Sequence, residues 1–230
     1  MRYVYLHPVF DERKCAHRFW YALRAAFEAM GMKLESFDYR GTGEAQGEFA
    51  EVSLESLRAD TAGFIAGDRV CLVGVRFGAN LALDYCSRNQ GQAATLVLLE
   101  PIVKGSEYVE YLRRKQRIKD MMTGLDAAEL AQEGFENIEG YKTSVRFIGE
   151  LESSNLARLV RGNMVGERIY LVGAGKGPSA DGELKCLGDA LGEAGNAVVV
   201  ENMSMPIFWE RIGRADYGQV TEKVLRWCHG

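Results

Sequence analysis

One stretch constrains the fold of this chain more than any other: Val70-Cys71-Leu72-Val73-Gly74-Val75-Arg76-Phe77-Gly78-Ala79-Asn80. An apolar run leads into a turn bracketed by two glycines, and an apolar stretch at helical spacing follows. The pattern is Gly-x-Ser-x-Gly with arginine in the serine's place. Glycines at those positions let a strained strand-to-helix turn form, which stands its middle side chain at the carboxyl end of a sheet. The sequence therefore predicts a strand over Arg69–Val73 and a helix over Phe77–Ser87, with Arg76 on the turn between them. A guanidinium is always charged and carries only donors, so it cannot attack an electrophile. The chain supplies a perch for a nucleophile and seats a cation on it.

Strand and helix signals alternate around this segment. Strands are expected at Tyr3–His7, Leu34–Asp38, Ala94–Glu100, Arg168–Val172 and Ala197–Val200. Helices are expected at Cys15–Met30, from Ser53 through Phe64, at Gly182–Ala194 and at Tyr217–Cys228. Six strands separated by helices predict a doubly wound, mostly parallel sheet with helices on both faces. At 230 residues with 47% apolar side chains, the natural reading is one α/β domain over 1–230. The alternation breaks between 104 and 165. There a long amphipathic helix, Gly105–Met122, precedes a polar, glycine-spotted region with helical character again near Gly149–Arg161. An excursion of that length predicts a helical lid inserted in the domain.

Three features together resemble the α/β-hydrolase fold. Tyr5-Leu6-His7-Pro8-Val9-Phe10 is a strand opening into the loop where such proteins place one oxyanion-hole amide. Phe37-Asp38-Tyr39-Arg40-Gly41-Thr42-Gly43-Glu44-Ala45-Gln46-Gly47 resembles the family's Asp-x-Arg-Gly-x-Gly-x-Ser-x-Gly loop. Gly74 to Gly78 is the elbow. A narrower similarity joins Phe10-Asp11-Glu12 with His17-Arg18, the Arg76 elbow, Glu100-Pro101-Ile102-Val103-Lys104-Gly105-Ser106-Glu107-Tyr108, and Pro206-Ile207-Phe208-Trp209. It resembles the exosortase A system-associated hydrolases of the second kind, which also carry arginine at the elbow. The resemblance implies a bacterial protein encoded near exopolysaccharide and sorting machinery.

A Ser-His-Asp hydrolase of this fold needs an acid after the fifth strand and a histidine after the sixth. The first loop, Gly173–Asp181, offers only Asp181, placed to cap the next helix. The second, Glu201–Glu210, holds no histidine. With serine, base and acid all missing, acyl transfer of the serine type is not expected. What Arg76 does instead stays open between three partners. Glu100, at the end of the neighbouring strand, would make an internal fork. Asp11 or Glu12, otherwise first-turn helix acids, would do the same from the other side. A carboxylate or phosphate ligand is the third, with Arg76, Phe77, Val9, Phe10, Glu100 and Trp209 as candidate binding residues. If a reaction survives, Glu12 and Glu100 are the candidate acid or base, acting on an ester, thioester or similar bond. The aromatics Phe208, Trp209, Tyr108, Tyr111 and Tyr141 read as core or as pocket lining.

Other classes are disfavoured. A net charge of −4 argues against general nucleic-acid binding. The basic run Arg113-Arg114-Lys115-Gln116-Arg117-Ile118-Lys119 reads as a solvated helix face or as a docking stripe for a protein partner. No apolar stretch is long enough to span a membrane, and Met1–Pro8 reads as a first strand and not a secretory signal. Five scattered cysteines and three distant histidines predict neither a disulfide framework nor a metal site, and a cytoplasmic setting. Gly173–Pro178 lacks the lysine-serine ending of a phosphate loop, so no cofactor is expected.

Overall fold

The computed structural model describes residues 1–65, 69–89, 93–123, 133–174 and 178–229, with the side chains of 178–181 outside that set. In chain order the elements are β1 (Arg2–Leu6), α1 (Phe10–Cys15), α2 (His17–Ala29), β2 (Leu34–Ser36), a 3-10 turn (Phe49–Glu51), α3 (Leu54–Ile65), β3 (Val70–Val75), α4 (Phe77–Arg88), β4 (Ala93–Leu99), α5 (Gly105–Thr123), β5 (Phe135–Ile138), β6 (Tyr141–Ser144), α6 (Val145–Glu152), α7 (Leu156–Leu159), β7 (Arg168–Ala174), α8 (Pro178–Glu193), β8 (Ala197–Met203) and α9 (Gly218–His229).

The chain divides into two compact units. The first comprises Met1–Phe37, Phe64–Val103 and Leu156–Gly230. It contains a six-stranded sheet in the order β2-β1-β3-β4-β7-β8. Every strand pairs parallel to its neighbours, and one row across the sheet runs Val4, Leu72, Leu96, Ile169, Val198. The two central strands, β3 and β4, are buried at every residue. Both read as near-continuous apolar runs, with Thr95 the polar exception, because both their faces are covered. Helices α2 and α9 bring Phe19, Leu23, Phe27, Val220 and Val224 onto Tyr5, Val73, Val97 and Tyr170. On α8, Leu184, Leu187 and Leu191 are buried at the spacing the sequence predicts.

The second unit comprises Asp38–Gly63 and Lys104–Asn155. It holds most of the segment expected as an insertion, together with the glycine-rich loop that follows β2. Within that loop Gly41 has φ +69, and a Cβ on it would lie 2.7 Å from Phe49 N, so only glycine fits. Arg40 forks onto Asp60. The polar stretch after α5 is not featureless: β5 and β6 form an antiparallel hairpin closed by Glu139 and Gly140, at φ 53 and 93. Two consecutive positive-φ residues are what a tight hairpin turn needs. The helix expected near Gly149–Arg161 is two helices, α6 and α7, in different units.

Candidate functional site

The elbow is built as the sequence predicts, at the carboxyl end of β3. Arg76 has φ 53 and ψ −123, a backbone conformation that L-residues avoid and that costs about 1–3 kcal/mol. It persists because its surroundings fix it. Arg76 N–H donates to Leu99 O at 2.9 Å, and Ala79 N–H donates to Arg76 O at 2.9 Å. A Cβ on Gly74 would lie 2.5 Å from Ala79 Cα, and one on Gly78 would lie 2.1 Å from Leu6 O. Both glycines are therefore sites of backbone contact, between the turn and α4 in one case and between α4 and β1 in the other. Asn80 adds a further tie that no sequence signal announces: its amide donates to Ile102 O at 2.8 Å and accepts from Ile102 N–H at 2.9 Å.

The partner of Arg76 is Glu12. Arg76 Nε and Nη2 each lie 3.1 Å from Glu12 Oε1. The Glu12 side chain is fully buried, and that of Arg76 is 14% exposed. A carboxylate in such a place must be paired. Glu12 reaches the elbow from α1, a short helix that precedes the one expected at Cys15–Met30, which is α2. Helix α1 starts at Phe10, itself at φ 56.

The expected fork between Arg76 and the Glu100 carboxylate is not formed. Glu100 adopts φ 46, and its Oε2 accepts from Ala174 N–H at 2.5 Å, at the end of β7. What it offers Arg76 is its main-chain oxygen, 3.4 Å from Nη1. Burial lifts the Glu100 carboxyl above its ordinary range, against the opposing pull of the Ala174 N–H and of the Arg76 cation. The indole of Trp209 lies under the guanidinium, with Cζ 5.6 Å from the ring centre. Trp209 meets Phe208 edge-on, and Phe208 stacks on Phe19 at 4.1 Å. Of the six residues expected to line a ligand site, Val9, Phe10, Phe77 and Trp209 are buried walls. Arg76 and Glu100 are the two that solvent reaches.

Among the described residues no Ser-His-Asp triad is assembled at the elbow. The segment after β8 places Phe208 and Trp209, not a histidine, beside Arg76's wall. His7 packs between Tyr5 and Trp20, His17 meets Tyr21 edge-on, and His229 ends α9. The side chain of Asp181, the one acid in the preceding loop, lies outside the described residues. So does most of the Gly173–Pro178 turn. Among the described residues no group of three potential metal ligands gathers, and no helix is long and apolar enough to cross a membrane. The basic run on α5 is partly consumed inside its own unit. Arg113 forks onto Glu136 and reaches Glu152, and Lys115 pairs with Glu139.

Comparison with solved structures defines the class. The chain has the α/β-hydrolase fold. It is similar to Est1E from Butyrivibrio proteoclasticus with ferulic acid bound, at TM-score 0.66 and 12% identity over 97% of this chain and 86% of the other. It is similar to Rv0554 from Mycobacterium tuberculosis, at 0.65 and 18% over 99% and 90%. It is also similar to alpha/beta hydrolase domain-containing protein 10 from mouse, at 0.60 and 15% over 97% and 86%. No family model matches the sequence. No curated protein matches it either.

Proposed function

We propose that this protein is a non-hydrolytic member of its fold class that binds a small organic anion at Arg76. The observation that carries the reading is the Glu12–Arg76 pair on the nucleophile's perch. A buried carboxylate holds the cation in place without reacting, and the strained turn is kept although nothing on it can attack. The guanidinium remains reachable and lies against Trp209, an arrangement suited to an anion attached to a flat ring. Ferulate combines those two features and is a fitting first probe. The resemblance to exosortase A system-associated hydrolases supports a role beside a bacterial exopolysaccharide system.

Two measurements test this. Purified protein should turn over activated esters, thioesters and amides no faster than its Arg76→Met variant. Calorimetric titration with ferulate, and with inorganic phosphate, should show binding that Arg76→Met weakens at least about tenfold, the scale of one lost charge-assisted hydrogen bond. Site-dependent hydrolysis would end the reading. Loss of binding selectivity between Arg76→Met and the parent would leave no anion site.

A second reading has one observation in its favour, the raised proton affinity of Glu100. In it, Arg76 steadies a substrate anion while Glu100 or Glu12 works as the base of an unusual hydrolase. Turnover that survives in the parent and disappears in both Glu100→Gln and Glu12→Gln would establish it over the first.

A further inference from the structure

Four of the five cysteines are buried, and Cys186 is exposed. Two of the buried ones lie together far from any role at the elbow. Cys71 Sγ and Cys228 Sγ are 3.3 Å apart, although 157 residues separate them in sequence. Cys71 sits in β3, the strand that runs up to Arg76. Cys228 sits in the last turn of α9. Neither side chain is reached by solvent to any useful extent. Tyr3 and Arg168 are the titratable and charged neighbours that act on the pair. Sulfurs at this separation need to approach by only a little over 1 Å to reach the covalent distance of about 2.05 Å.

We propose that Cys71 and Cys228 are an oxidisable pair, which a small uncharged peroxide converts to an intrachain disulfide that staples α9 to β3. The chemistry balances with one hydrogen peroxide. One sulfur, as thiolate, attacks the peroxide oxygen; the O–O bond breaks, leaving a sulfenic acid and a hydroxide that takes up the released proton as water. The second thiol then attacks the sulfenic sulfur. The S–S bond forms, the S–O bond breaks, and the departing hydroxide leaves with the thiol proton as a second water. Two electrons pass from the two sulfurs to the peroxide. A dithiol reverses the change by exchange through a mixed disulfide.

The bond to Cys71 and burial hold the Cys228 thiol protonated, so the folded protein reacts slowly. Access comes through fraying of the last turn of α9, since helix ends open more readily than helix middles. The staple then removes that opening. It also anchors α9 to the strand that positions the elbow. Because it closes a loop of 157 residues, the unfolded chain loses much of its freedom.

The experiment uses the full chain carrying Cys186→Ser, which removes the exposed thiol and with it pairing between molecules. After treatment with hydrogen peroxide and blocking of remaining thiols, intact mass and a non-reducing peptide map are read. The expected product is a monomer lighter by two hydrogens, with the Cys71 peptide joined to the Cys228 peptide. Its melting temperature should rise by roughly 5 °C or more and fall back after dithiothreitol. Adding Cys228→Ala should abolish both changes. A product that only gains oxygen, an unchanged mass, or a map joining any other cysteines overturns the proposal. The mass and map are read on the Cys186→Ser protein, so the result stands even if the Cys228→Ala protein does not fold.

Discussion

Two arginines in this molecule are each held by glutamates, and they are held differently. Arg113, in the second unit, meets Glu136 as a two-pronged fork at 2.7 and 2.8 Å and reaches Glu152 at 2.5 Å. Its side chain and those of its partners are all about a third exposed. Arg76, at the elbow, shares one oxygen of Glu12 between two nitrogens at 3.1 Å, and its partner sees no solvent at all. The better geometry is at the wetter site. Water and salt screen the Arg113 cluster, so good bonds there replace nearly equal bonds to water. Burial makes the looser Arg76 pair the more consequential one, because removing either member takes an opposite charge away from the other in the interior. Bond length ranks these two sites one way and energetic consequence ranks them the other.

The largest expected effect follows from that ranking. Glu12→Ala or Arg76→Ala alone should cost about 3 kcal/mol. For a chain of this size that is a fall of roughly 6–12 °C in melting temperature, read by calorimetry. The double variant Glu12→Leu with Arg76→Met should recover most of the loss, since it removes both charges and keeps the volume filled. Single variants that melt with the parent would show that the elbow pair is as well hydrated as the Arg113 cluster, and the contrast would vanish.

Arg113→Ala is the counterpart, with a smaller effect of about 0.5–1 kcal/mol. Its cost should shrink further in 1 M sodium chloride, where the Debye length is about 3 Å, while that of Arg76→Ala stays. Equal salt dependence at the two sites would mean that exposure does not separate them.

How far the sequence led differs between the same two regions. The parallel sheet and the elbow were legible because their signals are backbone signals. Near-continuous apolar runs mark β3 and β4, and Gly74 and Gly78 stand where a Cβ would strike main chain. The partner of Arg76 stayed open between Glu100, Asp11 or Glu12, and a bound anion. The choice is made by positive φ at Phe10 and Glu100, a conformation that non-glycine residues do not advertise. The hairpin around Glu139 was not legible at all. Its strands, Phe135–Ile138 and Tyr141–Ser144, are short and polar, and only the glycine of its turn carries a signal. Asn80 gave none, since an asparagine that bonds main chain looks in sequence like any polar helix residue.

The smallest effect probes the third carboxylate, Glu100, which lies beside Arg76 without sharing its charge. Burial raises its proton affinity in the folded state above that in the unfolded chain. A raised acid means that the folded protein binds the extra proton across the window between the unfolded value and the higher folded one. Stability therefore falls as pH rises through that window, and the penalty is fully present above it. Glu35 and Glu201 have the opposite sign: Lys33 and Arg2 lower the first, Lys223 and Tyr170 the second, and stability from them is lost as pH falls. Those two are partly exposed, so solvent screens part of their contribution. Glu100→Gln removes the ionisation and keeps the shape. The variant should therefore melt above the parent at pH 8, with that advantage gone at pH 4, where the parent's carboxyl is already protonated in the fold. If instead the variant loses stability at pH 8, the Glu100 carboxylate is held by the Arg76 cation more strongly than burial opposes it. Arg76 would then serve two carboxylates, as Arg113 does, and the difference between the two arginines would reduce to exposure alone.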